Sequence, residues 1–174
     1  MALTEPQTPD SGLNLAEKFI TLTGKSVAWL TLLMVLLTFT VVVLRYGFNL
    51  GWIWLQESVT YLHAIVFMVA AAWTLLIDDH VRVDIFYRGR SEQHQAWINL
   101  VGTLIFLVPV CIFLLVASWD YVEVAWRVQE RSREADGIPF VYLLKTLLLI
   151  LPVLLLIQAG NLAVRCLRTL RSTD

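Results

Sequence analysis

An all-α integral membrane protein built on four transmembrane helices is the fold class this sequence predicts, and three observations carry the prediction. Of its 174 residues 58% are hydrophobic and 16% charged, against roughly 45–50% and 25% in soluble domains. Four charge-free stretches, 26–44, 58–77, 96–119 and 146–164, approach or exceed the ~20 apolar residues needed to cross a hydrocarbon layer about 30 Å thick. The seven tryptophans fall near the ends of these stretches, where an amphipathic ring prefers the headgroup layer. Backbone groups in lipid must be paired within their own segment, so such stretches are helices and not open strands.

Taken in order, residues 1–12 are polar, hold Pro6 and Pro9, and are expected to form a disordered arm. The remainder, 13–174, reads as one four-helix membrane domain. Leu15, Phe19 and Leu22 share a helical face opposite Asn14, Glu17, Lys18 and Thr21, with Ser11 a candidate cap, which predicts a short interfacial helix lying on the membrane surface. The first transmembrane helix is placed at about 24–46 and reads as an uncleaved anchor, because its apolar run ends in Arg45-Tyr46 and not in a small-residue cleavage site. The second is placed at about 56–78. The third is placed at about 92–130, since Tyr121 to Arg133 can extend it with Glu123-Arg127 and Arg127-Glu130 at helical spacing. Asp136-Gly137 breaks that helix, and Ile138-Pro139 opens the fourth, placed at about 138–167 with Lys145 snorkelling. Pro109 and Pro152 predict kinks in helices three and four.

Trp29, Trp73 and Trp97 mark one side of the membrane, and Trp52, Trp54, Trp119 and Trp126 the other. Eight basic residues share the first side: Lys18, Lys25, Arg82, Arg88, Arg90, Arg165, Arg168 and Arg171. Five lie on the second, Arg45, Arg127, Arg131, Arg133 and Lys145, intermixed with acidic residues. The positive-inside bias therefore predicts cytoplasmic N and C termini.

Little in the chain can do chemistry alone. A net charge of -1 offers no basic surface for phosphates, so nucleic acid is not an expected partner. Cys111 and Cys166 lie in or beside apolar runs without CxxC neighbours and read as small hydrophobes. His63 is the single histidine at membrane depth; as a haem ligand it would lack a second axial histidine, and a hydrogen bond to a neighbouring helix fits it better. Glu57, beside Gln56 at the mouth of helix two, either complements the helix dipole or contacts a partner subunit. Asp78, Asp79, His80 and Asp84 are ligand types, but they share one stretch with Arg82 among them, which also reads as a charged helix cap or a loop pairing with another membrane chain. No catalytic residue, metal or cofactor is expected.

Four features together carry a family resemblance: Arg45-Tyr46 after helix one, Trp54-Leu55-Gln56-Glu57 opening helix two, His80-Val81-Arg82-Val83-Asp84 after it, and Gly137-Ile138-Pro139 before helix four. Over roughly 25–165 the chain resembles the small, DctQ-like membrane subunit of the tripartite ATP-independent periplasmic (TRAP) transporters. It departs from many members in having Gln56 where a second acidic residue precedes Glu57. The resemblance implies a bacterial inner-membrane accessory subunit that braces a large sodium-coupled membrane subunit, while a periplasmic binding protein delivers a small organic anion. The run 137–145 is similar to the branch that handles 2-oxo acids. On that reading Arg45, Trp52, Trp54, Glu57, His80, Arg82 and Asp84 are candidate subunit contacts, and Arg127, Arg131, Arg133, Glu134 and Asp136 candidate docking residues for the binding protein. The alternative is a membrane-anchor redox subunit that binds haem or quinone. A self-sufficient small transporter would need a charge near mid-helix, and a disulfide-generating enzyme would need cysteine pairs; the sequence has neither.

Overall fold

The computed structural model describes residues 15–77, 89 and 91–171. The expectations for the arm at 1–12, for Ser11, and for Asp78, Asp79, His80, Arg82, Asp84, Arg88 and Arg90 lie outside these residues. The described chain forms four long helices: α1 (Leu15–Gly47), α2 (Ile53–Leu76), α3 (Glu92–Arg127) and α4 (Val141–Arg171). All four are long and apolar enough to cross a membrane.

Helix α1 differs from expectation at its start. The separate interfacial helix is absent from the described residues, and Leu15 to Leu22 form the first turns of one continuous 33-residue helix. The physical reason is which face finds partners. Glu17, Ile20 and Gly24 recur three and four residues apart, on one side of the helix, and turn inward, with Glu17 only 3% and Ile20 1% exposed. The face expected to lie on the membrane points outward instead, with Leu15 at 89% exposure. Polar side chains higher in α1 are satisfied by their own helix: the Thr38 and Thr40 hydroxyls each donate to the carbonyl four residues earlier, at 2.8 Å. Past Gly47, Asn49 takes a positive φ of 55°, and the Leu50 amide donates back to the Leu44 carbonyl at 2.9 Å, reversing the chain toward α2.

Helix α3 begins at a serine cap, Ser91 Oγ accepting from the His94 amide at 3.4 Å. Its middle widens into a π turn at Thr103–Leu107, and Pro109 follows directly. Proline has no amide hydrogen and its ring crowds the carbonyl four residues earlier, so a wider turn ahead of it relieves both faults. The helix stops at Arg127, short of the expected 130, because the chain caps itself: Gln129 adopts φ 48° and the Glu130 amide reaches back to the Ala125 carbonyl at 3.0 Å, a Schellman-type ending. Helix α4 starts at Val141 and not at Ile138. Pro152 lies buried inside it.

The helices stand in a row and not a closed square. Helix α1 packs along α2, α2 along α4, and α4 along α3; α1 also meets α4, whereas no described Cα of α3 comes within 8 Å of α1 or α2. Helix α4 is therefore central, and it buries Leu147, Pro152, Leu154, Gln158, Ala159 and Cys166. One core cluster joins Ile20, Ala72 and Leu154 from three helices, flanked by Trp73. A second joins Ala96 and Leu100 of α3 to Cys166 of α4. Small residues let membrane helices approach closely, and Gly24 shows it: a Cβ added there would overlap the Cβ and Cγ of Trp73. Trp73, expected as a headgroup anchor, is thus also half-buried packing between α1 and α2.

Candidate functional site

The ion pairs gather at the two ends of the helices. At one end Glu17 pairs with Arg165, 2.7 Å apart, tying the first turn of α1 to the last turns of α4. Near it Asn161 donates to Gln158 at 3.4 Å, and Gln158 is almost wholly buried.

The other end holds the more elaborate arrangement. Residues 128–140 leave α3 and fold into a loop with its own ties: Ser132 N–H donates to the Ile138 carbonyl at 3.3 Å and Gly137 N–H to the Glu134 carbonyl at 3.1 Å, while Glu134 N–H donates to Ser132 Oγ at 3.2 Å. Glu57, the fifth residue of α2, clasps this loop. One carboxylate oxygen accepts from the Ser132 hydroxyl, and the other accepts from the Ile138 amide at 2.6 Å. Both oxygens are therefore engaged within the chain, in charge-assisted hydrogen bonds that are stronger than neutral ones. Gly137 makes the approach possible, since a Cβ there would overlap the Ser132 side chain and come within 2.9 Å of Glu57 Oε2. Asp136, at φ 62°, supplies the turn before it.

A second layer fixes where α3 and α4 meet the loop. The Lys145 ammonium lies 2.5 Å from Glu130 and 3.7 Å from the centre of the Tyr121 ring. Trp126 Nε1 donates to Thr146 Oγ1 at 2.8 Å, and its ring meets Tyr142 edge-on, centroids 4.8 Å apart. Lys145→Met is expected to lower stability by about 1–3 kcal/mol, because it strands the Glu130 carboxylate in a half-buried place. A detergent-solubilised thermal melt reads this, and an unchanged midpoint contradicts it.

The sequence-predicted residues fall as follows. Glu57 is half-buried in the clasp. Arg45, Arg131, Arg133, Glu134 and Asp136 are exposed. Arg127, also exposed, pairs with Glu123 at 2.5 Å. Trp52 and Trp54 stack with centroids 6.4 Å apart and stand about half exposed beside the clasp. His80, Arg82 and Asp84 lie outside the described residues. Sequence reading missed Ser132 and the Ile138 amide as Glu57's partners and Glu130 as that of Lys145. The Gly-Ile-Pro motif marked the right place, but nothing in Ser132 itself announces a partner on α2.

Among the described residues no group of three or more His, Cys, Asp or Glu could hold a metal ion. What this end offers is an exposed face of mixed charge bordered by Trp52 and Trp54. The family described as the DctQ component of tripartite ATP-independent periplasmic transporters matches residues 34–169. The chain belongs to the DctQ family. A curated relative, the C4-dicarboxylate TRAP transporter small permease protein DctQ of Vibrio cholerae, is 31% identical over 117 residues, which cover 66% of this chain and 48% of the relative. The aligned part thus spans about half of that relative's length. No solved structure matches the chain. The family's description names one component of a tripartite transporter, and four helices long and apolar enough to cross a membrane fit a multi-pass membrane protein.

Proposed function

We propose that this DctQ-family chain is the static brace of a binding-protein-dependent, sodium-coupled importer of a small organic anion, such as a carboxylate or 2-oxo acid. The Vibrio cholerae relative, named for C4-dicarboxylate, supports the substrate class. Both termini face the cytoplasm, which puts the Glu57 clasp on the periplasmic side. The single observation that carries the reading is the segregation of charge: among the described residues the ion pairs lie at the two ends of the helices, and broken helices with interior carboxylates, the usual equipment for coordinating ions or substrate, are not found between them.

Arg127, Arg131, Arg133, Glu134 and Asp136 dock the periplasmic binding protein, and the clasp holds them in place. Arg45, Trp52 and Trp54, with His80, Arg82 and Asp84, contact the large membrane subunit. Glu57 acts on docking through the loop it holds, since both its oxygens are occupied.

A mixed-charge docking face changes association with salt and charge reversal more than it changes assembly. Arg131→Glu combined with Arg133→Glu is expected to raise the binding-protein concentration for half-maximal uptake by about fivefold to tenfold in reconstituted vesicles. Co-purification of the large subunit stays as before. Unaltered uptake at every binding-protein concentration removes this face from docking; absence of a co-purifying membrane subunit removes the whole reading.

A further inference from the structure

Between α1 and α2, away from both polar ends, lies an open groove of about 570 Å³. Met34, Val35, Thr38 and Phe39 line it from α1, and Thr60 and His63 from α2. His63 is ten residues into α2, so it lies about 15 Å along a helix about 36 Å long, close to mid-membrane. Its ring faces out of the chain and is exposed. Its one ring neighbour among the described residues is Phe67 of the same helix, centroids 6.3 Å apart. Neither His63 nor Thr60, three residues earlier on the same face, has a hydrogen-bond partner among the described residues.

An imidazole and a hydroxyl facing hydrocarbon at that depth each carry a desolvation cost that only a hydrogen bond offsets. Acyl chains could fill the groove, yet they offer neither donor nor acceptor. We infer that this groove is where a transmembrane helix of the transporter's other membrane subunit docks, bringing a hydrogen-bonding side chain or a carbonyl to His63. The inference rests on the reading that the chain works beside such a subunit, and it adds the face, the depth and the anchoring residue. The apolar lining supplies the rest of the contact, with Val35 and Phe39 56% and 67% exposed in the absence of a neighbour.

The test uses the assembled transporter in its own membrane, with the photo-crosslinking amino acid p-benzoylphenylalanine placed singly at Val35, Phe39 or, for contrast, Val116 on the outer face of α3. Adducts identified by mass spectrometry as the co-purifying membrane subunit are expected from Val35 and Phe39 and not from Val116. His63→Leu is expected to weaken retention of that subunit in detergent by about threefold to thirtyfold, as for one interhelical hydrogen bond, while His63→Gln stays within about twofold of the parent. Adducts to lipid alone, to a second copy of this chain, or to the subunit from Val116 alone overturn the inference, as does equal retention by His63→Leu. If the unsubstituted chain retains a membrane subunit but Val35 and Phe39 miss it, only this inference fails. If it retains none, the proposed function fails as well.

Discussion

Glu57→Ala is expected to release the 128–140 connection from α2 and make it at least about ten times more sensitive to trypsin at Arg131 and Arg133. The carboxylate holds the Ser132 hydroxyl and the Ile138 amide at once. Each hydrogen bond to a charged group contributes about 1.5–3 kcal/mol; with Glu57 half-buried and partly screened, a combined loss of about 2–4 kcal/mol is expected. Cleavage through a locally opened state follows that free energy, at a factor of ten per 1.4 kcal/mol. Glu57→Gln is milder, because the amide oxygen can still accept from Ile138 N–H while its NH₂ donates to Ser132 Oγ. Glu57→Asp lacks the methylene needed to reach both partners and should resemble alanine. Equal cleavage of parent and Glu57→Ala would mean that the loop is ordered by its own turns alone.

Gly24→Ala should strike at the other end of the α1–α2 pair. The overlap predicted for the new methyl group includes Trp73 Cβ, an atom that no rotamer of Trp73 can move, so the two helices have to separate. Insertion of a carbon into a filled contact costs about 1–3 kcal/mol, and the fixed position of Trp73 Cβ places this case at the upper end. Separation also opens the neighbouring cluster of Ile20, Ala72 and Leu154. An SDS or thermal unfolding midpoint lower than that of the parent is the expected result, with Gly24→Leu lower still. Trp73→Ala, which keeps the Cβ, should not rescue Gly24→Ala. A midpoint equal to the parent's contradicts the packing described here.

The four spans were legible because the bilayer imposes a length that uninterrupted apolar runs either meet or miss. What governs the candidate site was not legible in the same way. Glu57 could be read as an acid at a helix start, but its partners lie 75 and 81 residues away, and no local pattern encodes such a pairing. Helix four begins three residues late because Ile138 is committed to the loop: its amide donates to Glu57 and its carbonyl accepts from the Ser132 amide in place of a helical one. At the other end, local amphipathicity assigned Glu17 to a solvated face. Its partner Arg165 on α4 turns that face inward, a choice made by tertiary contacts. His63 is the converse: expected to bond to a neighbouring helix, it finds none among the described residues.

The row of helices also bears on how the chain is made. A ribosome delivers α1 and α2 first, and they can join through Gly24 and Trp73 as soon as both are in the bilayer. Helix α3 arrives next with no described contact to either, so it waits in lipid as a lone span. Only the last helix out, α4, touches all three. Biogenesis therefore ends with a closing step in which the C-terminal span gathers a preformed pair and a third helix, and in a chain cut short before Val141 only the Glu57 clasp on the 128–140 loop joins the two among the described residues.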